Sequence, residues 1–264
     1  MYTSELYIIR ALTNMHVGNG DVNYGIVDKE VQRDVITNYP TIYSSSLKGA
    51  LREFFESKKE DSVKYIFGDV DNAGTYKFFE GHLLSIPVRS NKKPFFRAVC
   101  PQIIQDLITC LSDFDIQLDI VEILKKFADI DVTPDKPVIF EKLEGVKIED
   151  FYGEFEYKQF EKISVIEKLF GENIALLHND VFSKLIKSLP VIARNCLENG
   201  ISKNLWYEEI IPRETRFYFI VMRMKDEENL LEPMISENII QMGANASIGY
   251  GYTKIQNVKQ IVGE

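Results

Sequence analysis

Apolar and polar positions along the chain alternate at two distinct periods, and the changes of period mark its elements. Glu5–Thr13 (ELYIIRALT) is dense in β-forming residues and stops at polar, glycine-containing sequence, which predicts a first strand. From Ser44 the period becomes helical: Leu47, Leu51, Phe54 and Phe55 fall at i, i+4, i+7 and i+8, one apolar stripe, with Ser44–Ser46 offering N-cap hydroxyls. Tyr76–Val88 reads as a strand or hairpin, and PQIIQDLITCL as a short helix. A helix capped by Asp180 is expected next. Two β-rich arms around a polar, glycine-containing tip follow from Val191 and lead into a strong strand, Arg216–Met224. EPMISENIIQM then reads as a helix, GANASIGYG as a small-residue turn and YTKIQNVK as a last strand. Strands and helices mingle without a regular βαβ rhythm, which predicts an α+β fold with a mostly antiparallel sheet.

One stretch departs from this patterning. His16–Tyr43 is long, polar and marked by Gly18, Gly20 and Gly25, with Asp28 among its acidic residues. Loops beyond about 12–15 residues inside compact domains are usually functional or disordered.

Composition narrows the chemistry. At 264 residues, with 45% hydrophobic and 27% charged residues, the chain has the profile of a soluble globular protein, with no apolar run near the ~18 residues of a membrane span. MYTSELYIIRALT lacks the basic, apolar and small-residue regions of a signal peptide. Cys100, Cys110 and Cys196 have no CxxC spacing and point to buried thiols in a reducing cytoplasm, and the three histidines form no metal signature. No GxSxG elbow or GxxxxGK[ST] loop is present, and no pair of carboxylates stands out. The net charge of −9 is unevenly placed: of 40 acidic and 31 basic residues, 17 and 8 lie between Asp106 and Glu172, so the remaining 23 of each cancel. Neutral flanks leave room for a local basic groove. PVRSNKKPFFR carries four basic residues and no acidic one, which also suits a solvated loop. Lys48 and Arg52, four apart at a helix start, can meet a phosphate there or simply face solvent. From the residues alone the reading stops at a cytosolic α+β protein with a candidate anion site.

Four segments in order carry it further: LTNMHVGNG…GIVDKEVQRD…YPTIYSSSLKGALR, LLSIPVRSNKKPFFRAVCPQIIQDL, LWYEEIIPRETRFYFIV and QMGANASIGYGYTKI. Together they resemble the RAMP superfamily, and within it the repeated backbone subunit of type III-B (Cmr) CRISPR effectors. Ala244 stands where a second glycine is expected, and the acidic middle is unmatched. The resemblance implies a modified ferredoxin-like, RRM-type sheet in one domain over 1–264, with an acidic insertion near 106–172 and a β-hairpin thumb near 191–216. It implies a guide RNA, a complementary target RNA, copies of the chain in a helical filament and other effector subunits as partners, and no membrane. Asp28 becomes the residue associated with cutting the target. A carboxylate is a weak base at neutral pH, so Asp28 is expected to orient Mg²⁺ or another divalent cation while a ribose 2′-OH attacks its own phosphate at a flipped-out nucleotide. His16 stands as an acid, a guide contact or a structural residue. Ser46, Lys48, Gly49 and Arg52 would meet the guide backbone, together with the loop of Gly243, Gly249 and Gly251. Gly49 invites either close approach of RNA or tight packing of the helix on the sheet. Trp206 and Tyr207 are expected as core anchors of the thumb. A non-cleaving scaffold of the same family and a guide-processing endoribonuclease are the alternatives.

Overall fold

The computed structural model describes residues 1–20, 26–149, 151 and 153–263, so Gly25 lies outside the described residues. Strand β1 (Tyr2–Ala11) runs into the long polar segment, which ends at β2 (Thr41–Ile42) and helix α1 (Ser44–Ser57). Helix α2 (Val63–Phe67) and β3 (Lys77–Phe78) lead to β4 (Gly81–Arg89). A large excursion follows: β5 (Phe95–Val99), α3 (Pro101–Asp113), α4 (Val121–Ala128), β6 (Val138–Ile139), β7 (Glu156–Tyr157), α5 (Ile163–Phe170), β8 (Ile174–Leu176) and α6 (Asn179–Ile186). The hairpin of β9 (Val191–Glu198) and β10 (Ile201–Glu209) precedes β11 (Arg216–Met224). Then come α7 (Glu232–Glu237), β12 (Ile239–Gln241), a 3₁₀ turn at Ala246–Ile248, β13 (Tyr252–Asn257) and α8 (Val258–Val262).

The central strands lie in the order β13-β1-β11-β4, each antiparallel to its neighbour. With α1 after β1 and α7 after β11, this is a βαββαβ unit whose strands sit fourth-first-third-second, the ferredoxin-like arrangement. β5, β8, β6 and β7 extend the sheet beyond β4, with parallel pairs at β5–β8 and β6–β7. Register explains the core: Tyr7 pairs with Phe219 and Ile9 with Phe217, and all four are fully buried, the two rings stacked at 5.4 Å. Leu47, Leu51 and Phe55 of α1 join the same core, and Phe54 is half-buried beside them.

Several local expectations need correction. Tyr43, not a serine, is the N-cap of α1, and Ser44–Ser46 form its first turn without a side-chain cap. His178 caps α6, its Nδ1 accepting from the Asp180 N–H at 3.2 Å. The helix expected over 232–242 ends at Glu237, because Asn238 is extended and Ile239–Gln241 pair with β13. The last strand ends at Asn257, whose side chain accepts from the Lys259 N–H at 2.9 Å and starts α8. Among the described residues no helix is long and apolar enough to cross a membrane.

Candidate nucleic-acid interface

β10 organises the described residues of the polar segment after β1. Asn19 N–H donates to Glu30 O at 3.2 Å and Gln32 N–H to Val17 O at 2.8 Å, which sets Val17–Asn19 beside Glu30–Gln32. The returning arm then runs along β10. Asp28 and Lys29 N–H both reach the Tyr207 carbonyl, at 3.0 and 3.2 Å, and Glu209 N–H donates to Lys29 O at 2.9 Å. The Asp28 side chain closes this clip, its Oδ2 accepting from Tyr207 N–H at 2.7 Å. Oδ1 has no partner among the described residues, so a half-buried carboxylate is held rigidly with one oxygen available. The Lys29 ammonium lies 5.3 Å from the Trp206 ring centroid beside it.

Below the clip lies a polar network built on two consecutive acids. Glu208 and Glu209 point to opposite faces of β10, as strand geometry requires, and both are buried. Glu209 accepts from Arg33 Nη2 at 2.6 Å and from Val31 N–H at 3.1 Å, which ties the Asp28 arm to the hairpin base. Glu208 meets Arg194 Nε at 3.1 Å, Trp206 Nε1 at 3.4 Å and the Asn245 amide. The Arg194 guanidinium lies 4.4 Å from the Tyr250 ring centroid. His16 is 3% exposed; its Nδ1 donates to the Glu209 carbonyl at 2.7 Å and lies 3.7 Å from Glu208 Oε1.

The C-terminal glycine loop is stapled to the same structure. Ala244 N–H donates to His16 O, and Gly251 N–H to Asn14 O, both at 2.8 Å. Gly243 has φ +85°, and a Cβ there would overlap the His16 carbonyl; Gly251 is buried, with φ +78° and the Met242 carbonyl in the same position. Both glycines therefore serve the loop's own close approach, whereas Gly249 is exposed with open space around it. Ala244 lies outside the left-handed region, so alanine fits where a glycine was expected.

Gln32 links this assembly to α1: its Nε2 donates to Ser46 Oγ at 2.8 Å and Gly18 O at 3.1 Å, and its Oε1 accepts from Tyr43 N–H at 2.7 Å. Ser46, Asp28, His16 and the glycine loop are thus joined through backbone and buried acids. Lys48 is half-buried and makes no ion pair among the described residues. Arg52 is engaged with Glu56 at 2.7 Å, an exposed i,i+4 pair. Gly49 is exposed, and no atom lies within 4 Å of a Cβ built on it, so tight packing on the sheet does not explain the glycine. Gly49→Ala is therefore expected to raise the stability of the free chain by about 0.5–1 kcal/mol, read as a higher Tm, and to weaken RNA binding. Unchanged RNA affinity would remove Gly49 from the interface.

Two readings are corrected. Trp206 is only half-buried and Tyr207 is 40% exposed, so neither is a core anchor. A carboxylate pair does stand out once the chain is folded: LWYEEII embeds two acids in an apolar strand context, a signal for buried, partnered charge that composition alone conceals. Cys100 is buried and Cys110 half-buried, and burial pushes both thiols up to about 11, far from nucleophilic thiolates; Cys196, on the exposed hairpin strand β9, departs from the buried thiol expected there.

The RAMP superfamily model matches residues 8–254, from β1 through the Asp28 arm, α1 and the hairpin to the glycine loop. The chain belongs to the RAMP superfamily. Within RAMP proteins it is 30% identical over 278 residues to the CRISPR system Cmr endoribonuclease Cmr4 of Pyrococcus furiosus, covering 92% of each. It is also 38% identical over 90 residues to the CMR subunit Cmr4 of Saccharolobus solfataricus, 32% of this chain and 29% of that one. Its RAMP fold superposes on a chain of the type III-B Cmr-beta complex bound to cognate target RNA with a TM-score of 0.81, at 24% identity and 98% coverage of both. Oligomeric Cmr4 from P. furiosus gives 0.71 at 25% identity, covering 96% and 97%.

Among the described residues no three His, Cys, Asp or Glu side chains converge as a metal site. One available Asp28 oxygen does fit a hydrated Mg²⁺, which takes one or two carboxylates and shares the rest of its shell with water and phosphates.

Proposed function

We propose that this chain is a repeated backbone subunit of a type III-B CRISPR ribonucleoprotein, acting in the cytoplasm, that binds guide RNA and cuts complementary target RNA at Asp28. The observation that carries this reading is the Asp28 clip, which fixes a carboxylate at the foot of an exposed hairpin with one oxygen that meets no partner among the described residues. A scaffold needs no such acid. The α1 start, with Lys48 and Gly49, and the exposed glycine loop form the guide face, reading phosphates and 2′-OH groups without regard to sequence. The hairpin of β9 and β10 separates guide from target at each copy and leaves a target nucleotide unstacked beside Asp28.

Cleavage is transesterification: the 2′-oxygen attacks phosphorus, the bond to the 5′-oxygen breaks, and the 2′ proton passes to solvent while the 5′-oxygen takes one up. The products are a 2′,3′-cyclic phosphate and a 5′-OH. Asp28 would hold a divalent cation, which would supply charge neutralisation at the reacting phosphate. The Tyr207 N–H fixes the Asp28 carboxylate. His16, enclosed as it is, positions the loop carbonyls that hold the glycine loop and does not touch RNA. A histidine-assisted guide-processing nuclease is disfavoured for the same reason. Chelating divalent cations in an effector assembled with guide and partner subunits is expected to stop cutting, with target binding intact and activity restored by Mg²⁺. Cutting that persists in chelator contradicts the metal assistance.

A further inference from the structure

Beyond the Asp28 site, three cations lie directly across three neighbouring central strands. Arg10 of β1 is paired in register with Arg216 of β11 on one side and Lys254 of β13 on the other. Like charges opposite one another destabilise a sheet, and this row has little to offset it. Among the described residues one carboxylate lies within ion-pair distance, Glu214, shared by Arg97 Nη2 at 2.7 Å and Arg10 Nη2 at 3.6 Å.

The row has a structural end and an unassigned end. Arg216 Nη1 donates to the carbonyls of Lys168 and Leu169 at 2.8 and 2.7 Å, and Arg97 Nη1 to Glu172 O at 2.6 Å, so these two tie the end of α5 and the turn after it to the central sheet. Lys254 is exposed and makes no ion pair among the described residues, and the Arg10 side chain, 44% exposed, has only the long contact to Glu214. The Nε atoms of Arg10, Arg97 and Arg216 are buried and donate to no acceptor among the described residues. Burial, with the adjacent charges of Arg97 and Arg10, lowers the Arg216 guanidinium to about 10.

We propose that Arg10 and Lys254 form a phosphodiester site for single-stranded RNA, an extension of the guide face along β1 and β13. The inference rests on the reading of the chain as an RNA-binding subunit. Continuity selects RNA over an acidic protein: Lys254 follows Gly251 by three residues, and Leu12 N–H, two residues beyond Arg10, donates to Tyr252 O at 2.8 Å. The two cations therefore border the glycine loop. A guanidinium fork beside an ammonium suits the oxygens of a phosphate.

The test uses the full-length chain, a labelled single-stranded oligoribonucleotide of arbitrary sequence and a polyglutamate peptide as competitor, with affinity measured across a salt series. Arg10→Gln/Lys254→Gln is expected to keep or raise the Tm, because it removes like charges from opposed positions. RNA affinity at low salt is expected to fall about tenfold. The slope of log affinity against log salt is expected to fall by about 1.4, the value for two lost phosphate contacts at ~0.7 each. Lys254→Gln alone, at an exposed position, is expected to remove about half of that slope, and Arg10→Lys/Lys254→Arg to retain binding. Unchanged RNA affinity and slope in the double variant would overturn the site while leaving the RNA-binding reading intact. So would a fall in Tm with RNA binding unaltered, which marks a structural role. Polyglutamate that binds the wild type in preference to RNA and is released by the double variant would assign the row to an acidic protein partner instead. A wild-type chain that binds no RNA overturns the proposed function and this site with it.

Discussion

Glu208→Ala is expected to lower the melting temperature by roughly 10 °C, from a loss of about 3–5 kcal/mol. Glu208 is 1% exposed and is the only carboxylate within ion-pair distance of Arg194 among the described residues. Removing it leaves the Arg194 guanidinium without its carboxylate, and the half-buried Asn245 amide and Trp206 indole N–H without this acceptor. The cost of breaking a buried pair comes mainly from the partner left behind, not from the attraction lost. Replacing Arg194 and Glu208 together by apolar residues of similar volume is therefore expected to recover much of the loss. Thermal unfolding of the single and double variants checks this. A Tm for Glu208→Ala within about 2 °C of wild type would show that solvent reaches the network and relaxes it. The loss would also reach the interface, since the same cluster joins the hairpin base to the glycine loop.

Asp28→Ala is expected to reduce single-turnover cleavage in the assembled effector by about 10²–10⁴-fold, the range for removal of a directly acting catalytic group, with guide and target binding within a factor of two of wild type. Asp28 holds its position through backbone bonds to Tyr207 that alanine retains, so the arm keeps its path. Asp28→Asn separates two roles. The amide oxygen still accepts from Tyr207 N–H, but the charge is gone. A rate as low as that of Asp28→Ala assigns the effect to charge on the unpartnered oxygen. A rate near wild type would make Asp28 a turn-forming residue and move the chemistry elsewhere.

What the sequence discloses and what it conceals divide along sequence distance. Local pattern located β11 at Arg216–Met224, the start of α1 at Ser44 and the two arms around Gly200, because a period of two or 3.6 is a property of adjacent residues. The end of α7 at Glu237 was not legible, since Ile239–Gln241 become a strand only through pairing with β13. The same holds at the site. Asp28 was singled out by its place in a known motif, but nothing local announces that Tyr207, 179 residues away, grips its carboxylate. Glu208 and Glu209 read as ordinary acids until Arg194, Arg33 and Asn245 are brought around them. Arg10, Arg216 and Lys254 are three scattered cations in the sequence; strand register alone makes them a row. Gly49 shows the reverse, a residue whose ambiguity the fold resolves, because the space where a side chain would sit is open.

The central claim, that this chain cuts RNA through Asp28, is tested most directly by mapping product ends. Effector assembled with guide and either wild-type or Asp28→Ala subunits would be given end-labelled complementary RNA, and bound and cleaved fractions followed together. The account predicts cuts at regular intervals ending in 2′,3′-cyclic phosphates with wild type, and bound but intact RNA with the variant. Equal cutting by both complexes would contradict it and leave the chain a scaffold, with the nuclease in another subunit.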